Sequence, residues 1–409
     1  METQEEALRS LQERVGRYPP ARYPIQHATA QFHLGVLLTN AGELDRAETA
    51  LRAAVSLFHP ETMAVEHAKA TNALGALLRT AGSPAEACIC FEAAREVFAD
   101  HGLRAEEGAA AFNLGLSRRE QGEDDAATSA LTDARALLDA ATVPAQASAA
   151  SRELGSLALA RGDVEVAREL LLDSVASADR AGDAIALGAA TNALGLAELA
   201  GGDAKAAAAT FSRSAGCHPR NLRPAELAMS KANLALAYEA AGDAPRARVA
   251  AQQALALSSR PGAVEQQAAA LLQRLGRRPG EILVVLASED AAQQAARARE
   301  ELERWIDLDA TERRAEAGAW IDAGTRASGG GIELAETWLG AVLELPPQIM
   351  ETLIASALDA LKDKPVDQQQ RWAAGVTRAM ARFHVPQWMR LRDSFERLAR
   401  ARDLELSWN

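Results

Sequence analysis

A leucine-glycine pair recurs at Leu34-Gly35, Leu74-Gly75, Leu114-Gly115, Leu154-Gly155 and Leu194-Gly195, with Leu234-Ala235 in sixth place, so one unit returns every 40 residues without drift. Three further columns keep step with it. A glycine follows seven residues later (Gly42, Gly82, Gly122, Gly162, Gly202, Gly242), and an alanine five after that (Ala47, Ala87, Ala127, Ala167, Ala207, Ala247). Four residues on comes a larger side chain (Leu51, Phe91, Leu131, Leu171, Phe211), replaced by Ala251 in the last copy. A fixed period of this length marks a solenoid: stacked supersecondary units that bury their apolar faces against their neighbours and present one long surface for binding.

Each column has a physical reason. Glycine beside the leucine leaves room for a second helix to approach the backbone, and the second helix offers a small-large-small stripe, its third place taken by Ala54, Ala94, Ala134, Ser174, Ser214 and Ala254. The glycine of the next column suits the left-handed position that ends the first helix. The residue after it (Glu43, Ser83, Glu123, Asp163, Asp203, Asp243) is placed to cap, or to favour electrostatically, the positive start of the second. Pro84 and Pro245 fall in the first turn of second helices, where no amide is lost. Six helical hairpins with turns at Gly42 through Gly242 are therefore expected.

In residue type, order and spacing these columns resemble the tetratricopeptide repeat (TPR) family, over residues 27–260. The resemblance implies an all-α, right-handed TPR-like α-solenoid whose first helices line a concave groove. The period departs from the common unit of about 34 residues, as in kinesin-light-chain-like and bacterial signal-regulator repeats. The family's first-helix tryptophan is also missing, its place taken by Gln31, Thr71, Ala111, Ser151, Thr191 and Lys231.

Around the repeats the chain divides further. Ala7, Leu11 and Pro20 lie 40 residues ahead of Ala47, Leu51 and Pro60, so residues 3–17 read as a lone second helix capping the array, within an N-terminal segment 1–26. Segment 261–287 holds a terminal helix at 263–276, a break at Arg277-Arg278-Pro279-Gly280 and the apolar run Ile282 to Leu286, too costly to leave wet and expected to pack into the array's open end. The remaining 288–409 contains all six tryptophans (Trp305, Trp320, Trp338, Trp372, Trp388, Trp408) and reads as a C-terminal helical region. Helices are expected there at 289–305, 310–327, 332–344, 347–362, 366–383 and 387–403, with Ser288 and Asp309 as N-caps, Pro347 and Pro386 at helix starts, and breaks at Gly329 to Gly331 and Lys364-Pro365. Two architectures fit: three more hairpins continuing the solenoid, which the half-repeat spacing favours, or a compact domain with a tryptophan-rich core. The arginine-rich stretch Arg371 to Arg402, interleaved with Trp372, Phe383, Trp388 and Phe395, reads either as solvated helix faces or as a partner-binding surface.

Composition bounds the function. A formal net charge of −12 argues against nucleic acid as the main ligand. No apolar run approaches the ~20 residues that span a bilayer. METQEEALRS is acidic where a signal peptide is basic and then apolar, which points to a cytoplasmic protein; that it is bacterial in type is what the resemblance to bacterial signal-regulator repeats implies. Cys88 and Cys90 point to different faces of one helix and Cys217 lies more than three repeats away, so core thiols are expected, with neither disulfide nor zinc site. His27, His33 and His67 could gather near one end of the groove, but no pair has the spacing of a metal-binding helix. With no Gly-x-Ser-x-Gly and no phosphate loop, no catalytic residue, cofactor or metal is expected.

Numbered from Ala28, positions 2, 5, 9 and 12 of each first helix share a stripe about 80° wide. That stripe carries Lys69, Asn72 and Arg79, then Phe112 and Arg119, then Arg152, then Asn192, with Asn113 and Asn233 one position along. Leu196, Leu199, Met229 and Leu236 make its later half apolar. Side-chain amides can pair with an extended backbone, and lysine or arginine with a carboxylate. A helix-rich surface also carries such residues without function. The family's carboxylate clamp is not reproduced in order, so a chaperone-tail receptor is not expected. The residues point to a protein- or peptide-binding scaffold or adaptor whose partner bears acidic groups; alternatives are a peptide-responsive regulatory sensor and a non-catalytic accessory subunit.

Overall fold

The computed structural model of the chain describes residues 4–257, 259–276, 281–326 and 331–408, and every regular element among them is helical. Contacts divide the chain into two compact units, Met1–Gly202 and Asp203–Asn409. The breaks expected at Arg277 to Gly280 and across Gly329-Gly330 lie outside the described residues.

The first unit opens with α1 (Gln4–Arg17), whose Leu8, Leu11 and Val15 pack on the core of the first repeats. Four complete hairpins follow: α2 (Pro24–Asn40) with α3 (Leu44–Leu57), α4 (Ala64–Thr80) with α5 (Pro84–Asp100), α6 (Arg104–Glu120) with α7 (Asp124–Ala140), and α8 (Pro144–Arg161) with α9 (Val164–Ala181). Helix α10 (Ala184–Ala200), the first helix of the fifth repeat, closes the unit.

The repeat columns are the contacts that make these hairpins. A Cβ built on Gly155 would stand 2.5 Å from the Cγ of Leu171, and one on Gly115 2.6 Å from that of Leu131, so any side chain there would force the helices apart. Leu51, Phe91, Leu131 and Leu171 are completely buried. All six hairpin-turn glycines, Gly42 through Gly242, have φ between 77° and 86°, the left-handed cap their position implied. Thr142 adopts the same hand (φ 56°) at an inter-repeat turn where Gly102 and Gly182 serve elsewhere.

Capping follows the sequence only in part. The carboxylates of Asp203 and Asp243 accept from the amides of Ala206 and Arg246 at 3.0 and 3.1 Å. Glu43, Ser83, Glu123 and Asp163 make no side-chain cap; Glu43 and Glu123 turn to Arg46 and Arg118 instead. Asp183, which no repeat column singles out, caps α10 through the amides of Ile185 and Ala186.

The second unit begins with α11 (Ala204–Gly216), the hairpin α12 (Pro224–Ala240) with α13 (Ala244–Leu255), and α14 (Gly262–Leu275). A short helix α15 (Ile282–Leu286) then buries Ile282, Leu283, Val285 and Leu286 in a core shared with Val249 of α13. Ion pairs stitch the same junction: Arg248 of α13 to Glu281, both buried, and the buried Lys231 of α12 to the half-exposed Glu300 of α16 (Ala291–Asp307) at 2.9 Å. Asp290, not Ser288, caps α16, while the Ser288 hydroxyl donates to the carbonyl of Val285. Asp309 caps α17 (Ala310–Arg326) through the amide of Glu312.

The last helices, α18 (Gly331–Leu343), α19 (Pro347–Lys362), α20 (Val366–Met380) and α21 (Val385–Arg400), match the expected positions but not the expected hairpins. Each packs mainly on its second neighbour, in the rows α16, α18, α20 and α15, α17, α19, α21. Between the rows lies one core in which Trp305 and Trp320 meet Trp338 with ring centres 5.0 and 5.5 Å apart, and Trp408 stacks on Phe395 at 4.6 Å. The tryptophan-rich core is thus the better description, although the two-helix spacing of the repeats persists. The arginine-rich stretch fastens this region internally. Arg382 pairs with Glu336, Arg397 with Glu351 and Arg402 with Asp359, Arg390 donates to the carbonyls of Leu343 and Leu345, and Trp372 and Phe395 are core residues.

Candidate functional site

Within the first unit the first helices of successive repeats touch, α2 with α4, α4 with α6 and α8 with α10, which brings their predicted binding positions side by side. Lys69, Asn72 and Arg79 lie on α4, Phe112, Asn113 and Arg119 on α6, Arg152 on α8 and Asn192 on α10; Asn233 belongs to the second unit, on α12.

The basic residues are not equivalent. Arg79 bonds Glu120 at the end of α6 at 3.0 Å, Arg119 bonds Glu153 on α8, and Arg152 bonds the same Glu153 at 3.0 Å. A carboxylate from the next repeat therefore already answers Arg79 and Arg119, and Arg152 shares Glu153 from its own helix, forming a ladder along α4, α6 and α8. Lys69 differs: it is exposed and has no ion pair among the described residues. On the same helix, the Oδ1 of Asn72, one turn on, and the Nε of Arg79, in the last turn, are buried without a hydrogen-bond partner, an acceptor and a donor both unused.

The amides and the aromatic ring divide as well. Asn113 is half-buried, and Phe112, also half-buried, packs against clusters around Ala111 with Leu138 and Leu131 with Leu154. Asn192 is buried at 8 % exposure. Asn233 is buried too, and its Oδ1 accepts from Gln267 of α14 at 3.2 Å. What residue type and stripe position did not show are the partners Glu120 and Glu153. Both stand one place beyond a predicted stripe position, where the helix-to-helix approach turns them back toward the preceding repeat.

Among the described residues no group of three or more His, Cys, Asp or Glu is placed to hold a metal ion, and no helix is long and apolar enough to cross a membrane. The histidines have local roles. His27 uses Nδ1 on the carbonyl of Tyr18 at 2.7 Å, and His218, only 5 % exposed, leaves Nδ1 without a partner. Burial lowers the His218 pKa below the ordinary 6.5, a pull that nearby Glu226 opposes and Arg223 assists. The unfolded chain takes up a proton at this residue near pH 6.5, the folded chain only at lower pH, so its share of stability is complete above about 6.5 and falls away as the pH drops from there. His67, lowered by burial in the same direction, adds to the effect. Thermal midpoints measured from pH 8 to 5 are expected to decline through this window, with a shallower decline in His218→Leu; an unchanged slope would remove His218 from the account.

No protein-family model and no curated protein matches the chain. Among solved structures it is similar to pilF of Pseudomonas aeruginosa (18% identity, 59% of this chain and 96% of that one, TM-score 0.45). It is also similar to the apo form of RapI (14%, 66% and 93%, TM-score 0.48) and to a tetratricopeptide repeat protein of Parabacteroides merdae (14%, 66% and 92%, TM-score 0.46). By the repeat columns and the hairpins they build, the chain has an all-α fold of repeated helical hairpins similar to tetratricopeptide repeats.

Proposed function

We propose that the chain is a binding scaffold that takes a protein or peptide segment along the first helices of its first unit, with no catalytic step of its own. The observation that supports this most is the trio on α4. Asn72 and Arg79 leave one acceptor and one donor unused and shielded from solvent, while Lys69 adds a charge with no internal partner. An extended backbone offers the complementary N–H and C=O, and an acidic residue or terminal carboxylate the complementary charge. Arg119 and Arg152 extend the face, but a ligand carboxylate must share them with Glu153. An adaptor role in the cytoplasm is the form of this reading that fits the acidic repeat chain best.

Lys69 and Asn72 are therefore the sensitive positions. Charge-assisted hydrogen bonds are worth about 1.5–3 kcal/mol each, so Lys69→Glu is expected to weaken an acidic partner captured from the native host at least about tenfold, and Asn72→Ala by less. Neither change should lower the melting point, because neither residue holds an ion pair. Reversing Arg79 or Arg119 is a poorer test, since a glutamate there would face Glu120 or Glu153 and disturb the ladder itself. Affinity unchanged in both Lys69→Glu and Asn72→Ala would move the site off this face.

A further inference from the structure

In the second unit the end of α11, the turn after it, and helices α12, α13 and α16 line an open cleft of about 730 Å³. Clefts that hold small ligands span roughly 300–1,000 Å³. Its wall carries polar groups that the fold does not use. Gln253 of α13 is 4 % exposed, yet neither its Oε1 nor its Nε2 has a hydrogen-bond partner, and the Nδ1 of His218 is likewise buried and unpaired. Native interiors rarely leave such atoms unmatched, and a leucine at position 253 would serve packing better.

The charges around the cleft are unevenly satisfied. Lys231 is bonded to Glu300 and Arg220 to Asp307, whereas Glu303, exposed on the same face of α16, has no ion pair among the described residues. Burial pulls the Lys231 ammonium below its ordinary pKa against the pull of Glu300; Glu300, which burial alone would raise, is held below the ordinary carboxylate value by Lys231 and Arg297. Both members of that pair are committed to each other, so Glu303 is the charge left for a ligand.

An amide with a free donor and a free acceptor is the complement of a peptide unit, and a free carboxylate is the complement of an ammonium or guanidinium. We propose that this cleft is a second ligand site, taking a short peptide-like amide that bears a basic group, with Gln253 pairing the peptide unit and Glu303 the cation. Its preference is opposite in charge to that of the face on α4, and it does not depend on that reading.

The test uses the full chain and Nα-acetyl-arginine N-methylamide as the probe, followed by titration calorimetry. Wild-type protein is expected to bind it, and Gln253→Leu and Glu303→Gln each to weaken binding at least about tenfold. Gln253→Leu should melt no lower than wild type, which separates lost recognition from lost folding. Lys69→Glu, in the first unit, should leave this binding unchanged. Absence of binding to wild type at millimolar probe would show a water-filled void and overturn the proposal. Equal affinity in both variants, or equal binding of the corresponding glutamate derivative, would overturn it as well.

Discussion

Replacing Leu171 with alanine is expected to cost about 2–5 kcal/mol, and adding Gly155→Ala to that variant is expected to return part of the loss. Leu171 is completely buried in a cluster with Ala167, Val175, Ala190, Leu194 and Ala197. Its Cγ and Cδ2 lie 2.5 and 2.9 Å from where a Cβ on Gly155 would stand, so Gly155→Ala alone must displace Leu171 and should cost about 1–3 kcal/mol by overpacking. In the double variant the new methyl enters space the leucine has left. The chain already contains this exchange: the sixth repeat has Ala235 for the glycine and Ala251 for the large residue, both completely buried. Denaturant unfolding of the four proteins, with hydrogen exchange read at α8 and α9, measures the coupling. An interaction of about 0.5–3 kcal/mol is expected for residues in contact, and strict additivity would mean that the two columns are not mutual partners.

That exchange also shows why the repeat was so legible. Where one geometric contact is copied, one residue constraint is copied with it, so Gly35 against Leu51 and Gly75 against Phe91 left the same mark 40 residues apart. Helix limits were legible for a similar local reason: Pro347 and Asp309 act within one turn of where they stand. The packing of α16 to α21 was not legible, because a helix meeting its second neighbour spaces its apolar residues as it would against its first. The core made by Trp305, Trp320 and Trp338 thus announced a composition, not a partner order. The stripe of proposed binding residues was legible in position and not in state. A stripe at 3.6 residues per turn places Arg79 and Arg119, but their neutralisation by Glu120 and Glu153 depends on the rotation between repeats, which periodicity within one helix does not encode.

Removing either member of the Arg248–Glu281 pair is expected to cost about 3–5 kcal/mol, because the other is left as an uncompensated charge in the interior. Arg248 is 5 % exposed and Glu281 9 %. The guanidinium spans both carboxylate oxygens and gives its remaining arm to the carbonyl of Leu275 at 3.0 Å, so one side chain ties α13 to the end of α14 and to the start of α15. In the intact pair the hydrogen bond to Glu281 raises the Arg248 pKa against the opposing effect of burial; with Glu281 gone, the guanidinium still does not give up its proton, so the stranded cation finds no relief. Lysine at 248 should recover little, since an ammonium cannot span both oxygens and reach Leu275 as the planar fork does. Arg248→Met with Glu281→Leu is expected to behave differently, at or above wild-type stability, because two apolar side chains remove both desolvation costs and extend the core around Val249, Ile282 and Val285. Unfolding free energies should therefore fall for Arg248→Ala and Glu281→Ala and recover in the apolar pair, with exchange at the amides of α15 fastest in the single variants. A single-variant loss below about 1 kcal/mol, the scale of an exposed pair, would show that α15 is held by its apolar contacts alone.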